Sequence, residues 1–190
     1  MLDDKAHIIR SLSKLIALPL AIARDAGNMK NFQFGAIRPH PRASGSIGQY
    51  ALHVQCPWRL VGSEGIFTGS ADYYEPAESD GEVDLNDNQT GNLQRKRLGD
   101  LLRKYDPNTR SWVNDTAGLV VESVLADDCG GLELKLSGEF RLQILPCGSL
   151  GEDWRFFAPG TGEDHLVVDG GRVADRTPSE TSFEERSEDC

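Results

Sequence analysis

Residues 118–145 read GLVVESVLADDCGGLELKLSGEFRLQIL, and this stretch decides the fold class. Leu132, Leu134 and Leu136 alternate with polar residues, which is the pattern of a strand with one buried face. The segment before them is rich in valine, and the segment after them alternates again. Sequences with Asp, Ser and Gly separate the three segments and favour tight turns. The stretch therefore predicts an antiparallel meander of three strands.

Similar strand patterns lie on both sides of this meander, each beside a turn that contains Gly or Pro. They are predicted at residues 49–56, 58–61, 66–68, 154–157 and 165–168, with the start of another at 32–34.

Two other segments show helical periodicity. Residues 4–18 place Ile8, Leu12 and Leu15 on one face, and residues 20–26 are expected to add a helical turn before Gly27. Residues 93–105 form the second predicted helix, whose apolar face consists of Leu98, Leu101, Leu102 and Tyr105. We predict an α+β fold, mainly antiparallel sheet, with an N-terminal helix and one central helix packed on the sheet.

The negative charge is concentrated in two segments. Residues 72–92 contain seven acids and no Lys or Arg, and residues 175–190 contain six acids against two Arg. The net charge of the chain is −10, so the remainder is close to neutral. We expect residues 1–174 to form one domain with an acidic loop at 72–92, and residues 175–190 to be a disordered tail.

Two interpretations of the acidic loop remain open. It is either a solvated loop that keeps the protein soluble or a surface that meets a basic partner. Direct nucleic-acid binding is disfavoured, because phosphate contacts need clustered Lys and Arg. The basic residues at 95–97 and 103–104 are explained more simply as the solvated face of the second helix.

The cysteines and the first residues predict a cytoplasmic protein with reduced thiols. The four cysteines form no C-x-x-C pair, and no His lies at metal-ligand spacing from them. The start of the chain is acidic where a secretory signal would be basic. The apolar run at 15–22 is interrupted by Pro19 and is too short to cross a membrane.

No motif predicts a catalytic, metal or cofactor site. The GSIG sequence at 45–48 lacks the spacing of a nucleophile elbow, and no phosphate-binding loop occurs. Alternate oxygen ligands from Asp80 onward resemble a calcium loop. Counted from Asp84, however, the required Gly and Glu positions hold Gln89 and Arg95.

The histidines supply an alternative hypothesis. His53 and His165 lie on separate predicted strands and could converge, with Arg59, in a cleft of a small enzyme or ligand-binding domain. A single His on a strand is more often a surface residue or a satisfied core residue.

A Trp-Arg pair followed by two apolar residues occurs at Trp58-Arg59 and again at Trp154-Arg155. Trp and Arg are the residue types that most often anchor protein interfaces. The alternative is that the indole rings fill the core while the Arg side chains lie over it.

Residues 128–136, 140–146 and 152–156 resemble a pattern found in bacterial polymorphic-toxin immunity proteins. In that pattern a Gly-Gly-Leu strand is followed by a second strand ending in Pro, and then by an acidic residue and Trp. Residues 51–60 look like a segment of uncharacterised bacterial proteins. The resemblance implies a protein that blocks a toxin by binding it, and it carries over no catalytic residue.

We therefore predict a non-catalytic, immunity-like protein that needs no cofactor and neutralises a basic toxin or effector. A structural or regulatory role is a further alternative. The candidate partner-binding residues are Asp72, Glu75, Glu78, Asp80, Glu82, Asp84, Asp87, Trp58, Arg59, Trp154 and Arg155.

Overall fold

The computed structural model describes residues 3–27, 29–41, 45–78 and 91–174. It contains two α-helices, α1 (Asp4–Leu12) and α2 (Leu93–Leu102), and short 3-10 helices at Ser13–Leu15 and Ser70–Tyr73. The strands are β1 (Pro19–Ala26), β2 (Met29–Phe34), β3 (Arg38–Pro39), β4 (Ser46–Ile47), β5 (Tyr50–Val54), β6 (Trp58–Gly62), β7 (Gly65–Gly69), β8 (Arg103–Asp106), β9 (Ser111–Asn114), β10 (Leu119–Ala126), β11 (Leu132–Leu136), β12 (Arg141–Ile144), β13 (Glu152–Phe157), β14 (Leu166–Asp169) and β15 (Arg172–Val173).

Eleven strands form one antiparallel sheet in the order β15-β14-β13-β5-β2-β1-β10-β11-β12-β6-β7. The predicted meander is β10, β11 and β12, and it occupies consecutive positions. The two halves of the sheet meet where β1 pairs with β10 through only two residue pairs. The predicted α+β class, with an N-terminal and a central helix packed on antiparallel strands, is confirmed.

The sheet folds back on itself at this narrow junction. Phe32 on β2 and Trp58 on β6 are separated by four strands in the sheet order, yet their ring centroids are 5.0 Å apart. A second link joins the halves, because the indole of Trp154 on β13 donates to the carbonyl of Gly130 at 2.8 Å. The inward faces of both halves therefore form one core.

Each helix begins at a polar cap and buries one face. Asp3 accepts a hydrogen bond from the amide of Ala6 at the start of α1, and Asn92 accepts one from the amide of Arg95 at the start of α2. The buried residues follow helical spacing: Ile8 and Leu12 on α1, Leu98 and Leu102 on α2. Helix α1 packs on β10, whereas α2 packs on β1 and β7.

The prediction of a helical turn at 20–26 is wrong, because these residues belong to β1. Leu20, Ala21 and Ile22 are consecutive buried residues in a strand that pairs on both sides. Such a strand carries no alternation, and a short apolar run of this kind suits a helix equally well. The first helix is also shorter than predicted, since α1 ends at Leu12.

The second helix ends earlier than predicted and leads into a hairpin. Tyr105 lies on β8, not on the apolar face of α2, and is 53% exposed. Asp106 closes the turn between β8 and β9 by accepting from the amide of Asn108 and the hydroxyl of Thr109. Across the hairpin, Tyr105 packs against Trp112 with ring centroids 6.0 Å apart. The helical spacing of Leu98, Leu101 and Leu102 gave no sign that the chain changes from helix to strand at Arg103.

Among the described helices, none has both the length and the apolar character needed to span a bilayer. Cys56, Cys129 and Cys147 are free thiols.

Candidate functional site

The acidic segment 72–92 leaves the fold through a stem formed by residues 75–77 and 91–93, which are hydrogen-bonded to each other. Pro76 pairs with Asn92 as an isolated bridge. The amide of Ala77 donates to the carbonyl of Gly91 at 2.6 Å, and that of Leu93 donates to Glu75 at 2.8 Å. The ends of the segment are thus held side by side against the start of α2.

The described acids of this segment differ in their surroundings. Glu75 and Glu78 are exposed at the stem. Asp72 is half-buried, accepts from the hydroxyl of Thr68 at 2.9 Å and pairs with Arg97 at 3.2 Å. Asp72 therefore fastens the stem to α2, whereas the two glutamates face solvent. The other candidate acids, Asp80, Glu82, Asp84 and Asp87, lie outside the described residues, as does the tail 175–190.

The basic residues of α2 and β8 are engaged within the chain. Four of them pair with carboxylates, and Arg103 donates to a carbonyl of the hairpin. The pairs are Arg95–Asp25, Lys96–Asp100, Arg97–Asp72 and Lys104–Asp115. This arrangement does not offer a free basic cluster to a phosphate backbone among the described residues. The expectation that all five residues form the solvated face of the helix is wrong in part, because Arg103 and Lys104 lie on β8 and Arg95 is only 24% exposed.

Two exposed aromatic residues flank α2. Tyr74 at the stem is 67% exposed, and Trp112 on β9 is 57% exposed. Large aromatic side chains at the surface are typical of interface anchors. Sequence reasoning missed both. The signal for Trp112 was its position among Ser, Thr and Asn, where a core residue would be out of place.

In both Trp-Arg pairs the indole ring is buried in the core, as the second interpretation of these pairs predicted. Trp58 and Trp154 are 5% and 0% exposed, and both fill the core. Because neighbouring residues of a strand point to opposite faces, the two arginines lie on the outer side of the sheet. Arg59 donates to Gln143 at 2.6 Å, and Arg155 forms a two-point contact with Glu152. A partner at this surface can touch only the arginines of these pairs.

The two histidines converge on one ring. Phe157 on β13 stacks on His165 with centroids 4.2 Å apart, and His53 on β5 meets Phe157 edge to face at 4.8 Å. A cavity of about 430 Å³ lies beside His165, between α1 and β14. Arg59 is on β6 and does not join this group.

Burial lowers the pKa of His53, and the neighbouring Arg155 lowers it further, while Glu152 opposes both. The folded chain therefore takes up this proton only below the usual pKa of about 6.5. Between the lowered pKa of His53 in the folded chain and its usual pKa in the unfolded chain, the unfolded chain binds more protons. Stability therefore falls as the pH drops through this window. We expect the loss of unfolding free energy between about pH 7 and pH 5 to be smaller in His53→Gln than in the wild type, as measured by urea denaturation. An identical pH dependence in the two proteins would contradict this assignment.

A buried charged cluster lies under α2, and sequence reasoning missed it. Lys30 is 4% exposed, and its ammonium donates to Asp25 at 2.7 Å and to Gln94 at 2.6 Å. Arg95 donates to the second oxygen of Asp25 at 2.6 Å. Burial lowers the pKa of Lys30, while the contact with Asp25 raises it.

Among residues 3–27, 29–41, 45–78 and 91–174, no three His, Cys, Asp or Glu side chains come together as a metal-binding group. Comparison with known proteins gives no match to any family model, curated protein or solved structure.

Proposed function

We propose that this chain is a non-catalytic binding protein that neutralises a basic bacterial toxin or effector through the acidic segment 72–92. The observation that carries the proposal is the tied stem, where the exposed Glu75 and Glu78 lie next to the exposed Tyr74 in a segment whose sequence has seven acids and no Lys or Arg. Aromatic side chains anchor protein interfaces, and charged groups at the solvated rim around them steer the partner.

Charge favours a basic partner. The chain carries a net charge of −10, and carboxylates or carbonyls of the chain engage the cations closest to the stem. A concentrated negative segment raises the rate at which a cationic protein is captured, and this effect weakens with salt. The resemblance to immunity proteins supports the same class of partner, a cationic effector such as a nuclease.

The proposal is tested by removing the charge of the segment without changing its length. In the loop variant, Asp80, Asp84 and Asp87 are changed to Asn and Glu82 to Gln. The matched tail variant changes Glu180, Glu184, Glu185 and Glu188 to Gln, so it loses the same charge elsewhere. Both variants and the wild type are used as immobilised bait in a lysate of the source organism.

We expect the wild type and the tail variant to retain the same basic protein, and the loop variant to lose it, because steering and contact both depend on the segment. Folding of the loop variant should be unchanged. The proposal fails if the wild type retains no protein that the loop variant loses, or if the two variants lose it equally.

The second candidate is a ligand-binding domain or small enzyme at the cleft near His53 and His165. The convergence of both histidines on Phe157 beside a cavity supports it. A His165→Gln bait tests whether capture of the basic protein depends on this cleft. Under the first proposal it retains the basic protein as the wild type does, because His165 is remote in sequence from the acidic segment and contacts Phe157 instead.

A further inference from the structure

A cavity of about 270 Å³ lies between the β1–β2 hairpin, the β5–β6 connection and the first turn of α2. Three aromatic residues, Trp58, Tyr73 and Tyr74, are among its lining residues. Lys30 also reaches it, and the ammonium lies 5.8 Å from the centre of the Trp58 ring. The cavity is thus a half-open pocket with a buried cation and three aromatic rings in its wall.

The buried cluster beside this cavity is not electrically balanced. Asp25 is the carboxylate that both Lys30 and Arg95 contact, at 2.7 and 2.6 Å. The side chains of Asp25 and Lys30 are 8% and 3% exposed. Two cations share one carboxylate, so the described residues of the cluster carry one positive charge in excess, part of which the 24% exposed Arg95 side chain presents to water. Buried charge is costly without a counter-charge, and an anion in the cavity would supply one.

The hydrogen-bonding capacity of Lys30 also favours an acceptor in the cavity. An ammonium carries three N–H donors. In the described residues two acceptors, Asp25 Oδ1 and Gln94 Oε1, contact it. Gln94 is itself held in place, because its amide donates to the carbonyl of Gly69 at 2.9 Å. The ammonium is therefore fixed at the wall with one donor left for a further acceptor.

Asp25 also lines the cavity, and the thiol in its wall adds no further negative charge. Cys56 also lines the cavity, and burial together with the nearby carboxylate of Asp153 raises its pKa to about 12. The sulfur is therefore a neutral thiol at pH 7, and it neither balances Lys30 nor acts as a nucleophile.

We propose that this cavity binds a small ligand that carries one carboxylate on a planar aromatic body. The carboxylate accepts from Lys30 and balances the excess charge, and the ring packs among Trp58, Tyr73 and Tyr74. The volume of about 270 Å³ lies just below the usual range for pockets of drug-sized ligands, which suits a single ring. This site shares Tyr74 with the proposed protein-binding surface, but binding of a small carboxylate does not require the protein-binding function, and either can fail without the other.

The test is a titration of the isotope-labelled full chain followed by NMR, with benzoate as the probe. Benzamide has the same shape without the charge, benzylammonium has the opposite charge, and acetate lacks the ring. We expect benzoate to bind at least about tenfold more tightly than the other three. The indole signal of Trp58 should shift, while that of Trp154, buried elsewhere, should not.

Two variants locate the interaction. Lys30→Met keeps the length of the side chain without its charge, and we expect it to weaken benzoate binding at least about tenfold. The matched Lys135→Met removes a lysine from an exposed pair with Glu122 and should bind as the wild type does.

Three results would overturn the inference: no benzoate binding up to about 10 mM, equal affinity for benzamide, or full affinity in Lys30→Met. If Lys30→Met does not fold, the NMR signals that benzoate shifts in the wild type locate the binding site on their own. Shifts that avoid Trp58 and the first turn of α2 would then contradict the site.

Discussion

Asp25→Asn is expected to lower the free energy of unfolding by about 3 kcal/mol, because it removes the one carboxylate shared by two cations. Lys30 stays buried in the variant, and Arg95 stays beside it with no negative charge between them. Removing one partner of a buried ion pair lowers the free energy of unfolding by more than the intact pair contributes to it, because the remaining charge stays buried without a counter-charge. Urea denaturation at pH 7 measures the difference.

The pH dependence of this variant separates an electrostatic cause from simple loss of packing. Without Asp25, the burial that lowers the pKa of Lys30 is opposed less. The folded variant then releases this proton at lower pH than the unfolded chain does. Stability of the variant rises with pH in that window, so its deficit should shrink between about pH 7 and pH 10.

Asp100→Asn is the matched control, because it breaks an exposed pair with Lys96. Both of those side chains remain solvated, so no measurable change in stability is expected. A deficit for Asp25→Asn as small as that of the control would show that the buried cluster has no electrostatic role.

Trp154→Ala is expected to cost about 3–5 kcal/mol of unfolding free energy, the largest effect of a single side chain in this fold. Trp154 is completely buried, and its indole bonds the carbonyl of Gly130 in the turn between β10 and β11. Its removal opens a cavity where β13 of one half of the sheet contacts the β10–β11 turn of the other.

Trp154→Phe separates the hydrogen bond from the packing. It keeps most of the ring but leaves the Gly130 carbonyl without its donor, at a cost of about 1–3 kcal/mol. Trp112→Ala is the control, with an expected effect below about 1 kcal/mol because Trp112 is largely exposed. Thermal and urea denaturation give both values. Equal losses for Trp112→Ala and Trp154→Ala would contradict the assignment of Trp154 to the core.

The meander could be predicted from the sequence because its strands have one buried face and therefore alternate. Leu132, Leu134 and Leu136 are all at most 3% exposed, and the residues between them face outward. The strand β1 could not be predicted in the same way, because it is buried on both faces. The hairpin of β8 and β9 was missed for the opposite reason, since most of its residues are exposed.

The acidic segment was visible as composition, but the charged cluster was not visible at all. Asp25 and Lys30 face each other across the β1–β2 hairpin. Gln94 lies 64 residues further along the chain than Lys30. Each of these residues, taken alone, looks like an ordinary surface residue. The β1–β2 hairpin pairs Asp25 with Lys30, and the packing of α2 against β1 adds Gln94 and covers the pair.

The central claim is that the acidic segment is the binding surface. Its most direct test is the association rate constant of the captured basic protein, measured by surface plasmon resonance at low and high salt. We expect the loop variant to associate at least about tenfold more slowly than the tail variant at low salt, with a flatter salt dependence. Equal association rates for the two variants at every salt concentration would contradict the claim.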